Sequence, residues 1–190
     1  KYSGVILTSN ALTVESSPGI YSSALDSSEW ATLFEYEKLF KVRQLALFGY
    51  AGVSPEDYGL RAIAGADSAS ADAVVTDAGK SVFRDLTTNA LPIRNAYNYP
   101  ASVQAVAGVT TIPLLKNTQG QVLAALSNTE DGRERLLVTA AENPYLLHTQ
   151  ILGYGLISWL TKGVYLGEYR RFLQVDVDDW FLYADRFDPT

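Results

Sequence analysis

The hydrophobic pattern opens with an apolar, β-branched run, Tyr2 to Thr8, which reads as a buried strand. Asn10 to Ser28 is rich in Ser, turns at Pro18-Gly19 and reads as loop. Asp26, with Glu29 three residues on, has the spacing of a capping box, and Trp30, Leu33, Phe34 and Phe40 fall on one side of the helix that follows. Val42 to Tyr50 predicts the next strand. Strand, helix and strand in about fifty residues form a βαβ unit, whose two strands pair in parallel through a right-handed crossover.

From Gly52 to Val109 the pattern dissolves into Ala, Ser, Gly and Asp, with short apolar patches at Ala73 to Val75 and Ser81 to Leu86. Irregular structure with one or two short strands is expected there. Thr111 to Lys116 and Gln121 to Leu126 then flank Asn117-Thr118-Gln119-Gly120, a hairpin signature. Asp131-Gly132 turns the chain into Arg135 to Ala140, which predicts a three-stranded antiparallel patch. Asn143 as cap and Pro144 as first helical residue predict a helix over Tyr145 to Lys162, stopping at Gly163. Its apolar residues surround most of the circumference, so burial on more than one side is expected. Arg171 to Phe181 alternates like a strand and ends in carboxylates.

Composition narrows the class. At 190 residues, 47% hydrophobic and 19% charged, the chain can bury roughly 70% of its unfolded surface without disulfide or metal staples. A net charge of -6 with no basic stripe argues against nucleic acid. The longest apolar run, Ile151 to Leu160, is about half of a bilayer span, so no membrane-spanning helix is expected. The chain has no Met, and we expect it to be a processed or excised piece of a longer precursor. It has no Cys either, which removes thiolate nucleophiles, thiolate metal sites and disulfides together. The Ser, Thr and Tyr content leans towards a secreted protein, although no N-x-Ser/Thr acceptor occurs.

Few motifs carry chemistry. Gly79-Lys80-Ser81 resembles the end of a phosphate loop, but Val74 stands where the motif requires Gly. No G-x-G-x-x-G or G-x-S-x-G occurs. His148 is the only histidine, too few for a catalytic zinc site; packing or a surface position is its expected role, and a sugar hydrogen bond the alternative. Asp176 and Asp178 share one face of a strand while Asp179 points to the other. Crowded carboxylates are relieved by a cation or a shared proton, yet solvated strand ends carry Asp too, and the spacing also fits the D-x-D of metal-dependent glycosyltransferases. Tyr97, Tyr99, Tyr145, Tyr154, Tyr165, Tyr169 and Trp159 would suit a sugar-stacking surface or ordinary packing.

The segments NPYLLHTQILGYGLISWLTKGVYLGEYRRFLQVDVDDWF (Asn143 to Phe181) and SSEWATLFEYEKLFKVRQLALFGY (Ser27 to Tyr50) resemble the secreted fungal and bacterial polysaccharide deacetylases typified by galactosaminogalactan deacetylase. In that family a non-catalytic carbohydrate-binding region precedes a NodB-like (β/α) barrel. The βαβ start, the hairpin and the capping helix look like a flavodoxin or glutamine-amidotransferase-like α/β fold, a parallel sheet with an antiparallel hairpin extension over 1–167, and the resemblance implies that 168–190 is the opening strand of the barrel. It implies Asp178 as the base for a metal-bound water and Asp179 as a ligand of a divalent metal, expected to be zinc. Asp176 receives no role. The metal-binding histidines are absent, so the chain alone is expected to be inactive and to work with the remainder of its catalytic domain. The implied partner is an extracellular or cell-wall polysaccharide containing N-acetylated amino sugars. A carbohydrate-binding or structural domain with no catalysis is the alternative.

Overall fold

The computed structural model describes residues 2–86 and 90–164. The predicted strand at Arg171 to Phe181, with Asp176, Asp178 and Asp179, lies outside the described residues, as does the expected domain boundary near 167.

The βαβ unit is present. β1 (Gly4–Leu7) leads through a small hairpin, β2 (Thr13–Ser17) and β3 (Ile20–Ser23), into α1 (Ser27–Phe40) and then β4 (Arg43–Ala46). β1 and β4 pair in parallel, Gly4 opposite Arg43 through Leu7 opposite Ala46. α1 starts where the sequence places it: the Asp26 carboxylate accepts from the Ser28 and Glu29 amides, and Glu29 accepts from the Asp26 amide. Between Asn10 and Ser28, where loop is expected, β2 and β3 form a two-stranded hairpin around Pro18-Gly19, with Gly19 at a φ of 75°. Every residue of β2 is exposed, so no buried face marks it in the sequence.

The middle of the chain is more ordered than its composition suggests. It holds β5 (Leu60–Ala62), β6 (Ser68–Val75), β7 (Leu91–Asn98) and β8 (Ala101–Val103). The inward side chains of β6 are small, Ala71 and Ala73 ahead of Val75, so Ala against Ser carries the alternation and hydropathy barely registers it. In β7 the alternation breaks at Arg94 and Asn95, where Asn95 takes a φ of 54°. Gly79-Lys80-Ser81 is one 3-10 turn: Gly79 packs under the Leu114 carbonyl, where a Cβ would stand 2.2 Å from the oxygen.

β9 (Val109–Asn117), β10 (Val122–Thr129) and β11 (Glu134–Val138) form the antiparallel patch expected from the turn residues. β11 also pairs in parallel with β4. The sheet order is β1-β4-β11-β10-β9-β6-β7, with β8 and β5 attached beside β10. Among the described residues parallel pairing is confined to β1, β4 and β11, and the remaining ladders are antiparallel. The sheet curls until the end of β7 meets the chain after β11: Asn98 bridges Ala140, Tyr99 donates to the Thr139 carbonyl and Ala141 to that of Tyr97.

α2 (Leu147–Leu160) closes one face. It begins three residues after Pro144, the predicted first helical residue, because the Asn143 carboxamide caps a turn at Tyr145 and Leu146 occupies the capping position. Leu152, Gly155, Leu156 and Leu160 point into the larger core, while Leu147 stays 58% exposed; burial is one-sided in the first turn. Alternation along β4 divides the two cores. Leu45 faces α2, whereas Gln44 and Ala46 face α1.

Candidate functional site

Beyond Ala46 the chain does not end as an edge. It continues as Leu47-Phe48-Gly49-Tyr50, held by Leu47 N donating to the Leu7 carbonyl and Gly49 N to that of Val138. The Asn10 carboxamide, 3% exposed, donates to the Tyr50 carbonyl at 3.0 Å. Gly49 is required: a Cβ there would stand 2.2 Å from Leu137 Cδ1 and 3.2 Å from the Asn10 amide. The flanking rings of Phe48 and Tyr50 are thereby fixed at the C-terminal end of the parallel strands, the end of such sheets at which ligands generally bind.

β7 delivers the partners. Tyr97 and Tyr99 share a side of the strand end that bonds back to Thr139 and Ala141. The Tyr99 ring stacks on Phe48 at 5.4 Å between centroids and 21° between planes. Tyr50 and Tyr97 meet Tyr99 edge-on, at 5.0 and 5.3 Å. Four rings thus support one another, yet Tyr50 remains 49% and Tyr97 45% exposed. A contiguous exposed aromatic patch, unlike single scattered rings, is the kind of surface that marks an interaction site. The Tyr97 hydroxyl donates to the Asp67 carboxylate, and that bond raises the phenol pKa, so the group stays protonated.

Two polar clusters lie elsewhere. Under α1, Arg135, Gln44 and Ser127 form one row across β11, β4 and β10. Glu37 descends onto that row from the helix, and Glu56, Tyr58 and Arg133 complete it. The Tyr58 hydroxyl donates to Gln44 at 2.6 Å, Gln44 donates to Glu37 at 2.9 Å, and Arg133 and Arg135 both bond Glu56. Burial, with the nearby Glu56 charge, pushes the Glu37 carboxyl up to about 7 against its hydrogen bond from Gln44. None of these side chains is more than 10% exposed, so the cluster holds α1 to the sheet from beneath the surface.

The second cluster is Glu142 and His148. His148, 1% exposed, places Nε2 3.0 Å from the Ala141 carbonyl and 3.7 Å from Glu142. Burial lowers its pKa and raises that of Glu142 to about 7. Neutral and tied to backbone beneath the surface, His148 is a packing residue.

Of the tyrosines and tryptophan singled out from sequence, Tyr97 and Tyr99 come together. Tyr145 stands 91% exposed beside the start of α2, and Tyr154 and Trp159 line a separate cavity of about 410 Å³ with Arg43 and Glu134. Tyr165 and Tyr169 lie outside the described residues. Phe48 and Tyr50 are hidden in the sequence because they sit in an apolar run, Val42 to Tyr50, with the pattern of a buried strand; the signal that marks them is Gly49 between two rings. Asp178 and Asp179 are outside the described residues, and among those described no three His, Cys, Asp or Glu side chains gather as a metal site. No described helix is long and apolar enough to cross a membrane.

A family profile described as Agd3 CBM87 matches residues 1–159. Among solved structures, "Crystal structure of Agd3 a novel carbohydrate deacetylase" aligns with a TM-score of 0.73 at 21% identity, covering 89% of this chain and 26% of the other. This chain therefore spans about a quarter of that protein's length, and at that identity the likeness concerns the fold. Comparison with curated proteins gives no match.

Proposed function

Because the chain belongs to the Agd3 CBM87 family, we propose that it is a non-catalytic carbohydrate-binding region and that its saccharide lies on the rings of Phe48, Tyr50, Tyr97 and Tyr99. The observation that carries the assignment of site is the cluster itself: four mutually braced rings at the C-terminal end of β4, two of them near half exposed. A pyranose offers a face of axial C–H groups, which packs on a flat ring, and equatorial hydroxyls, which need polar neighbours. Asp67 and the tyrosine hydroxyls supply those. Bracing lowers the entropy lost on binding, since the rings are already placed.

The wider reading extends this to the parent protein. It is a secreted hydrolase of the cell exterior or cell wall that removes N-acetyl groups from an amino-sugar polysaccharide, with Asp178 as base and Asp179 as ligand to a divalent metal, zinc being the expected ion. The metal would lower the pKa of a bound water and polarise the amide. The domain over 1–167 would present the polymer to the barrel that opens at 168–190, and the parallel β1-β4-β11 unit would be its flavodoxin- or amidotransferase-like part. The family to which the chain belongs supports this, as does the sequence resemblance over Asn143 to Phe181.

Calorimetric titration of the 190-residue protein with N-acetylated amino-sugar oligosaccharides tests the binding claim. Tyr50→Ala and Tyr97→Ala each remove one exposed ring and should weaken binding by about tenfold, the equivalent of about 1.4 kcal/mol. Binding equal to wild type in both variants would discard the ring site.

A further inference from the structure

The strand end that carries Tyr97 and Tyr99 points Asn98 the other way, and there the surface is hollow. A cleft of about 680 Å³ opens between the chain at 65–72 and the β9–β10 turn. Its lining is mostly polar. Arg94 and Asp72 form an ion pair across β7 and β6, and Arg94 also donates to the Ala71 carbonyl at 2.7 Å. The turn is rigid: the Asn117 carboxamide oxygen accepts from the Gln119 and Gln121 amides, and its Nδ2 donates to Gln121 Oε1. Gln121 therefore keeps its NH2 for another acceptor, while Gln119 is exposed at the rim.

Asn98 is the floor, fully buried. Its Nδ2 donates to the Ser68 carbonyl at 2.7 Å, with the Ala96 carbonyl at 3.5 Å. Both neighbours are acceptors, so the nitrogen must face them and the orientation of the amide is settled by its partners. That leaves Oδ1 buried with no donor. A buried acceptor without a hydrogen bond is an unfavourable feature, and Asn98 is among the residues that line the cleft.

We infer that this cleft is a second saccharide subsite, in which a sugar hydroxyl or the N–H of an acylated amino sugar donates towards Asn98 Oδ1 while Gln119, Gln121 and the Arg94–Asp72 pair take the remaining hydroxyls. The charges of Arg94 and Asp72 cancel, which favours a neutral polar ligand over an ion. The two subsites share a wall, since Asp67 bonds Tyr97 on one side and its neighbours Ala66 and Ser68 line the cleft on the other. The inference rests on the carbohydrate-binding reading and adds to it a second point of contact.

The test is an NMR titration of the 190-residue protein with two ligands, an N-acetylated amino-sugar disaccharide and a neutral hexose disaccharide. The readouts are the side-chain amide signals of Asn98, Gln119 and Gln121 and the ring signals of Tyr50 and Tyr97. Saturable shifts at both sets are expected. Ser70→Trp, at an exposed strand position in the cleft wall, should fill the cleft without touching the Asn98 contacts. It should weaken the amide responses by at least about tenfold and leave the ring responses unchanged. Ser70→Thr should behave as wild type. Amide shifts with both sugars assign the donor to a hydroxyl, and shifts with the acetylated sugar alone assign it to the N–H. Ring shifts without amide shifts, or amide shifts that survive Ser70→Trp, overturn the second subsite; no shift at either set overturns the carbohydrate reading itself.

Discussion

Replacing Glu37 with Gln should make stability less dependent on pH. In the folded chain the Glu37 carboxyl titrates near 7, chiefly because burial disfavours its charge, with the Glu56 carboxylate adding to the effect. In the unfolded chain it titrates near 4.5. Its folded pKa is raised, so its contribution is complete below about pH 4.5 and is lost as pH climbs through 7. Within that window the folded chain holds one more proton, and each pH unit costs about 1.4 kcal/mol. From pH 5 to pH 7 the loss amounts to about 2 kcal/mol. Glu142, raised to about 7 by burial, acts in the same direction, whereas His148, lowered by burial, opposes both as pH rises through its range. Neither is altered by Glu37→Gln, so the difference between variant and wild type isolates Glu37. Gln keeps the shape and the hydrogen bonding of the protonated acid. Urea unfolding at pH 5, 6 and 7, followed by the fluorescence of the buried Trp30, should therefore show the variant gaining about 2 kcal/mol on wild type over that range. Parallel pH profiles would refute the reasoning and mean that Glu37 is ionised in its site.

Two glycines in α2 should respond with opposite signs. A Cβ on Gly155 would stand 2.6 Å from the Val82 carbonyl oxygen, so Gly155→Ala should destabilise by roughly 1–3 kcal/mol; Gly153 has nothing within 4 Å, and Gly153→Ala should stabilise by about 0.8 kcal/mol. Thermal melts of the pair check this. Asp26→Ala removes the acceptor for two helix amides and should cost about 1 kcal/mol, read from the same melts.

The parts of the fold that were legible in sequence are those with local chemistry. Asp26 and Glu29 announce the start of α1, Gly120 and Gly132 the turns around β10, and the apolar runs of β1 and β4 the parallel pair. β6 was not legible, because Ala71 and Ala73 pack where larger side chains would be recognised, and β7 was not, because a bulge at Asn95 shifts its period. The buried row of Arg135, Gln44 and Ser127 depends on the register between β4 and the β10–β11 hairpin, which lies far along the chain, and no spacing announces it. The ring cluster has the same origin. Tyr97 and Tyr99 carried a signal as a pair two residues apart, but their meeting with Phe48 and Tyr50 requires β7 to curl back onto the end of β11.

A crystal structure of the protein with a bound oligosaccharide of N-acetylated amino sugars addresses the central claim most directly. The account predicts one pyranose ring lying on the exposed faces of Tyr50 and Tyr97, beside Asp67. A saccharide bound elsewhere, with those rings still open to solvent, would contradict it.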